Sequence, residues 1–231
     1  MKLRDSFKPI PAITLTAAVA LVALYAVKIV HFPPGSFFPS SFVTHSLMLA
    51  MSVAAMLILS KRRLDLYGFT RGMYTFSPSI LLWVLPTAVL SIGPALASRG
   101  GQATGGSFEF TKIQTIVFIW VYASICEETL VRGLLQTLLS RSAKAGAAAS
   151  RWLNMPVVVS GLFFGAMHLV LIKQMGLMAI PVILLATCLG FVVAHYREKT
   201  GSLLPAIIIH ALFNIGGTLP LWVVQWLRGG S

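Results

Sequence analysis

Two adjacent carboxylates and a guanidinium interrupt an apolar run: Ile125-Cys126-Glu127-Glu128-Thr129-Leu130-Val131-Arg132. The chain has only six acidic residues, and two of them stand here side by side. A charge at the centre of a membrane helix costs about 2.5–3.5 kcal/mol on insertion scales, and such groups face a cavity or a partner. Glu128 and Arg132 are four apart, share a helix face and can pair. Glu127 is turned about 100° away from Glu128 and points elsewhere. An Arg–Glu clasp between helices would account for Glu128 and Arg132 but would leave Glu127 unexplained. A carboxylate at a dry site, free of that clasp, is suited to exchanging protons with water or an amine.

Two other apolar runs carry polar groups of complementary chemistry. Gly161-Leu162-Phe163-Phe164-Gly165-Ala166-Met167-His168 ends on an imidazole, and Gly161 and Gly165 form a small-xxx-small pattern that lets a second helix approach closely. His210 and Asn214, four apart in Ile209-His210-Ala211-Leu212-Phe213-Asn214, point one way from an otherwise apolar helix. Each group alone has a structural explanation as an interhelical hydrogen bond. Together they favour a shared cavity. His31, His45 and His195 stand alone near turns or span ends and are expected to be structural. Cys126 is set aside as a nucleophile, because the two flanking carboxylates oppose a thiolate.

These groups must be positioned by membrane helices. Of 231 residues, 57% are hydrophobic and 10% charged, with a mean hydropathy of +0.85. Apolar runs occur at about 10–30, 42–60, 79–97, 113–139, 155–172 and 176–196. The region 203–227 is broken by Gly216-Gly217-Thr218-Leu219-Pro220, which predicts two shorter helices. The expectation is an all-α polytopic membrane protein, one integral domain over 1–231, with about eight transmembrane helices around a central intramembrane catalytic cavity. The first run exceeds a signal-peptide core and lacks a convincing cleavage site, so it is read as an uncleaved span. Residues 98–107 read as a Gly-rich loop.

The net charge of +12 does not imply nucleic acid, because the basic residues fall in short loops suited to anionic headgroups. Lys2, Arg4, Lys8, Lys61, Arg62, Arg63, Arg71, Arg141, Lys144, Arg151, Arg197, Lys199 and Arg228 fall on one side of an eight-span arrangement. Arg99, Lys112 and Lys173 fall on the other. Both termini are then cytoplasmic by the positive-inside bias, and a seven-span arrangement moves only Arg228. Glu127 lies 14 residues from Arg141, about 21 Å along a helix, so the cavity is expected at or beyond the membrane middle, towards the non-cytoplasmic face.

Three elements in order, Glu127-Glu128-xxx-Arg132, Phe164-xxx-His168 and His210-xxx-Asn214, each in its own apolar span, resemble the CAAX-protease and bacteriocin-processing (Abi-type) family. Its best-known branch is the type II CAAX prenyl endopeptidases. The resemblance covers roughly residues 110–220, and none of the three elements departs from the pattern. It implies an eight-helix intramembrane glutamate-type endopeptidase without cofactor or metal. By that resemblance Glu127 activates water, His168 helps hold it, and His210 and Asn214 stabilise the oxyanion. Glu128, Arg132 and Phe164 support them.

The implied partners are the lipid bilayer and a membrane-associated protein or peptide, cut near its C-terminus. The implied location is an integral position in a prokaryotic inner membrane. Three alternatives stand beside this expectation: a zinc-dependent protease using Glu127, His168 and His210; a non-catalytic immunity or scaffold protein of the same fold; and a proton-coupled transporter.

Overall fold

The computed structural model describes residues 9–33, 35–70, 78–97, 110–142 and 154–229. All regular structure among them is helical. This follows from the composition: in lipid only a helix satisfies each backbone N–H and C=O within its own segment. The predicted loop at 98–107 lies outside the described residues, as do Lys2, Arg4, Lys8, Arg71, Arg99, Lys144 and Arg151.

Helix α1 is Pro9–Ala26 and α2 is Ser40–Ser60. A 3-10 segment, Pro78–Val84, leads into α3, Leu85–Ala97. Helix α4 spans Lys112–Arg141. It starts at a reciprocal cap in which Thr111 Oγ1 accepts from the Gln114 N–H and Gln114 Oε1 accepts from the Thr111 N–H. Helix α5, Met155–Met167, starts where Asn154 Oδ1 accepts from the Val157 N–H. Helix α6 is Ala179–Thr200 and α7 is Leu204–Leu227.

Among the described residues, five helical stretches are long and apolar enough to cross a membrane. One of them, Met155–Thr200, has 46 residues and would be about 69 Å long if straight. It is not straight. The chain reverses through Gly176, at φ 57° and ψ −140°, and α5 folds back on α6. Gly161 lies against Gly190 and Phe191, and Gly165 lies against Thr187, so the two helices pack antiparallel along the small residues. With α5 and α6 counted separately, and with 78–97 as a shorter apolar segment, the described residues form seven helical segments.

The eighth expected helix is a correction. Residues 204–227 form one helix with Pro220 inside it. Gly216 is a contact position and not a breaker: a Cβ there would collide with Thr87 Oγ1 and the Val84 carbonyl. Thr87 Oγ1 also donates to the Phe213 carbonyl at 2.8 Å, so α3 and α7 are tied at that point. The start of α7 is held by the Leu203 N–H on the Gly68 carbonyl, whereas Arg228 Nη2 donates to the carbonyl of Leu96. The end of α7 therefore lies beside the end of α3, away from the basic loop.

The clustering of basic side chains at one end is visible in direct contacts. Arg141 stacks on Tyr67, Arg197 Nη2 donates to Thr137 Oγ1, and Gly68 sits under the Arg197 guanidinium. Helix α4 is the centre of the bundle. Every residue from Thr129 to Leu139 is buried, Arg132 and Gln136 included. Around it the other helices turn apolar side chains outwards, such as Leu21, Ile58, Leu82, Val89 and Leu184, as a lipid-facing surface requires.

The α5–α6 contact predicts a graded response. A Cβ on Gly190 would sit 2.8 Å from the Gly161 carbonyl oxygen, whereas nothing lies within 4 Å of one on Gly217. Gly190→Ala is expected to lose about 1–3 kcal/mol in detergent unfolding, and Gly217→Ala to lose none. Equal stability of the two variants would contradict the close approach.

Candidate active site

The two glutamates lie on a short α-helical turn, Ser124–Glu128, between two π-helical stretches of α4, Thr115–Ala123 and Thr129–Gln136. Such widened turns recur at functional sites. Arg132 lies one turn beyond Glu128. Its Nε is 3.2 Å from Glu128 Oε2 and its Nη1 is 3.3 Å from Glu128 Oε1. Its Nη2 donates to the Gly190 carbonyl at 2.8 Å, and the guanidinium lies 4.6 Å from the centre of the Phe164 ring. Both charged side chains are fully buried. The close packing at Gly190 thus also supplies an acceptor to Arg132.

Glu128 has a second partner. His210 Nδ1 is 2.8 Å from Glu128 Oε1. A carboxylate already facing Arg132 accepts, so Nδ1 carries the hydrogen and Nε2 is presented on the other side of the ring. That Nε2 lies 4.0 Å from Glu127 Oε2. Phe164 packs edge-on against His210, with ring centres 5.3 Å apart. The expected division between the carboxylates is therefore present in the geometry. Glu128 is 0% exposed and paired, while Glu127 is 15% exposed. Of the two carboxylates, only Glu127 keeps any exposed surface.

His168 sits where α5 ends, and its Nδ1 donates to the Phe164 carbonyl at 2.8 Å. Its ring also rests on Phe164, with centres 4.9 Å apart. Phe164 thus lies in ring contact with both His168 and His210. Asn214 is near but differently engaged. Its Nδ2 donates to the Ile119 carbonyl at 3.0 Å and to Ser124 Oγ at 3.2 Å. Both amide hydrogens are directed at α4, so a donor to an oxyanion would require the side chain to release one of them. Trp120 Nε1 donates to Thr218 Oγ1, which in turn donates to the Asn214 carbonyl. This part of α7 is therefore fastened to α4.

His45 was expected to be structural and is instead part of the cluster. It lies on α2, its Nδ1 donates to the Ser41 carbonyl at 2.7 Å, and its Nε2 is 3.1 Å from Glu127 Oε1. His31 is exposed and His195 packs edge-on against Tyr196. Cys126 is fully buried. Among the described residues no group of three His, Cys, Asp or Glu side chains is placed to hold a metal ion. A cavity of about 270 Å³ lies at the basic end, lined by Gln136, Ser140, Arg141, Arg197 and Glu198 among others, and not at the glutamates.

A family model described as type II CAAX prenyl endopeptidase Rce1-like matches residues 109–216. The match bears out the resemblance carried by the three motif elements, all of which fall inside it, and it excludes His45. No curated protein and no solved structure gives a significant match.

The buried pair makes a direct prediction about stability. Arg132→Met leaves Glu128 without its cation in the interior and is expected to cost about 3–5 kcal/mol. Arg132→Lys should recover little of it, since an ammonium cannot reproduce the fork onto Glu128, the bond to Gly190 and the stacking on Phe164. Unfolding in detergent measures both. Wild-type stability in Arg132→Met would contradict the pairing.

Proposed function

From the match over residues 109–216, which supports placing this core in the CAAX-protease-like family, we propose that the chain is an intramembrane peptidase in which Glu127 activates water. The observation that carries the mechanism is Glu127 Oε2. It is buried, has no hydrogen-bond partner, and faces His210 Nε2 at 4.0 Å. Two polar atoms at that separation can both reach one water at about 2.8 Å, a normal hydrogen-bond length.

Peptide hydrolysis then proceeds as follows. Glu127 Oε2 takes a proton from water as the oxygen attacks the scissile carbonyl carbon. The resulting oxyanion is met by an N–H donor. The proton held by Glu127 passes to the amide nitrogen, the C–N bond breaks, and a new carboxylate and a free amine leave. His210 is placed to donate to the oxyanion when its Nε2 is protonated. Glu128 fixes the ring at Nδ1 and stabilises the imidazolium, as a buried carboxylate does for a catalytic histidine. Nε2 of His168 is left free by the Phe164 bond and is assigned to the same water. Asn214 holds α7 to the turn that carries the glutamates.

The substrate class follows from the family alone: a membrane-associated protein or peptide, cut near its C-terminus. The site opens towards the face opposite the basic end. His45 is five residues into α2, whereas Lys61 follows that helix at its far end. With basic residues inside, that face is non-cytoplasmic. If each of the seven helical segments is a traverse, the end of α7 is on the non-cytoplasmic side. The cell membrane of a prokaryote is the proposed location.

The test is a comparison of membrane-protein C-termini in cells carrying the wild-type chain or Glu127→Gln. A set of proteins is expected to keep an intact C-terminal segment only in the variant. Identical C-termini, with both chains present in the membrane at equal levels, would favour a non-catalytic immunity or scaffold role on the same fold.

A further inference from the structure

We propose that His45 is the positioning residue for Glu127. It anchors one carboxylate oxygen so that the other is presented to water. The inference rests on the peptidase reading of Glu127 and adds a helix that the family match does not reach, since His45 lies on α2 and the match begins at residue 109.

The geometry supports this assignment from both sides of the ring. A carbonyl oxygen can only accept, so the 2.7 Å contact with Ser41 fixes the hydrogen on His45 Nδ1. Nε2 is thereby the atom that meets Glu127 Oε1, at 3.1 Å; an ionised carboxylate also only accepts, so Nε2 donates as well and the ring that anchors Glu127 is the imidazolium. Both side chains are largely covered, at 14% and 15% exposed, so bulk water does not take over the contact. The ring is also held laterally: Tyr122 packs edge-on against it, with centres 6.5 Å apart, and the Tyr122 hydroxyl bonds to Ser46 on α2 at 2.8 Å.

The two oxygens of Glu127 are consequently unequal. Oε1 has a partner on α2. Oε2 has none and faces His210 on α7. A carboxylate held at one oxygen by a rigid donor loses the rotation that would let either oxygen swing away from the attacking water. Glu127 therefore lies between two imidazoles, each fixed at Nδ1 by an acceptor and each directing Nε2 at it. His210 takes its orientation from Glu128, and His45 takes its own from the backbone of α2.

The experiment compares His45→Leu and His45→Gln with wild type on one peptide substrate, in purified protein. His45→Leu should lower kcat about 100-fold, the scale of a misplaced catalytic group, with KM little changed. His45→Gln, whose amide can donate from near the Nε2 position, should recover most of that loss. Thermal midpoints of His45→Leu, Glu127→Leu and the double variant give a readout that needs no substrate, and they should be non-additive.

Wild-type kcat in His45→Leu, a change confined to KM, failure of His45→Gln to recover turnover, or additive midpoints would each overturn the proposal. Glu127→Gln, run in the same assay, separates the two levels. If it is inactive while His45→Leu is unimpaired, only the role of His45 falls. If Glu127→Gln itself is active, the peptidase mechanism falls and the positioning role falls with it.

Discussion

The Glu128–Arg132 pair is the constraint on which the rest of the site depends. Both side chains are fully buried, and neither charge is tolerable there alone. The pair is satisfied only when three other helices are in place. Gly190 on α6 supplies a carbonyl, Phe164 on α5 supplies a ring face, and His210 on α7 supplies an N–H. The ionic cost of burying Glu128 is thus offset by contacts that also fix where α5, α6 and α7 stand relative to α4. The small residues of the α5–α6 seam serve the same end, because a wider seam would move the Gly190 carbonyl away from the guanidinium.

Beside that fixed pair stands Glu127, the proposed base. It sits on the same helical turn but faces a different direction, so it lacks the Arg132 pairing of Glu128 and shares only His210 with it. Its neighbours are imidazoles whose ring orientation is already set. On the proposed mechanism, the rigid interactions lie on the groups that surround the catalytic carboxylate, which is the arrangement of a preorganised site. The π-helical stretches on either side of Ser124–Glu128 fit that picture, since they re-aim side chains without breaking the helix.

Much of this was legible in the sequence, and for a physical reason. Charges in an apolar span are costly enough to mark a site by their presence, so Glu127, Glu128 and Arg132 stood out, and i,i+4 spacing separated the paired glutamate from the unpaired one. Gly161 and Gly165 signalled a close helix contact, which the structure places against Gly190, Phe191 and Thr187. His45 was missed because its partner is 82 residues away and no local spacing reports it; an imidazole inside an apolar span was itself the available signal. The last helix was misjudged because Gly216, Gly217 and Pro220 read as breakers by the rules of water-exposed chains. Within a membrane bundle Gly216 is where α3 approaches, and a proline can be carried inside the helix. Asn214 took its oxyanion role from the resemblance, and its spacing from His210 does not disclose that its amide donates to Ile119 and Ser124.

The central claim is that two adjacent carboxylates of identical chemistry have separate duties, one in turnover and one in holding the bundle. Initial cleavage rates and thermal midpoints of Glu127→Gln and Glu128→Gln, purified side by side, test it most directly. The account predicts that Glu127→Gln has no detectable turnover at an unchanged midpoint, and that Glu128→Gln unfolds at lower temperature while keeping measurable turnover. An inactive Glu128→Gln at wild-type stability, beside a Glu127→Gln that still cleaves, would contradict it.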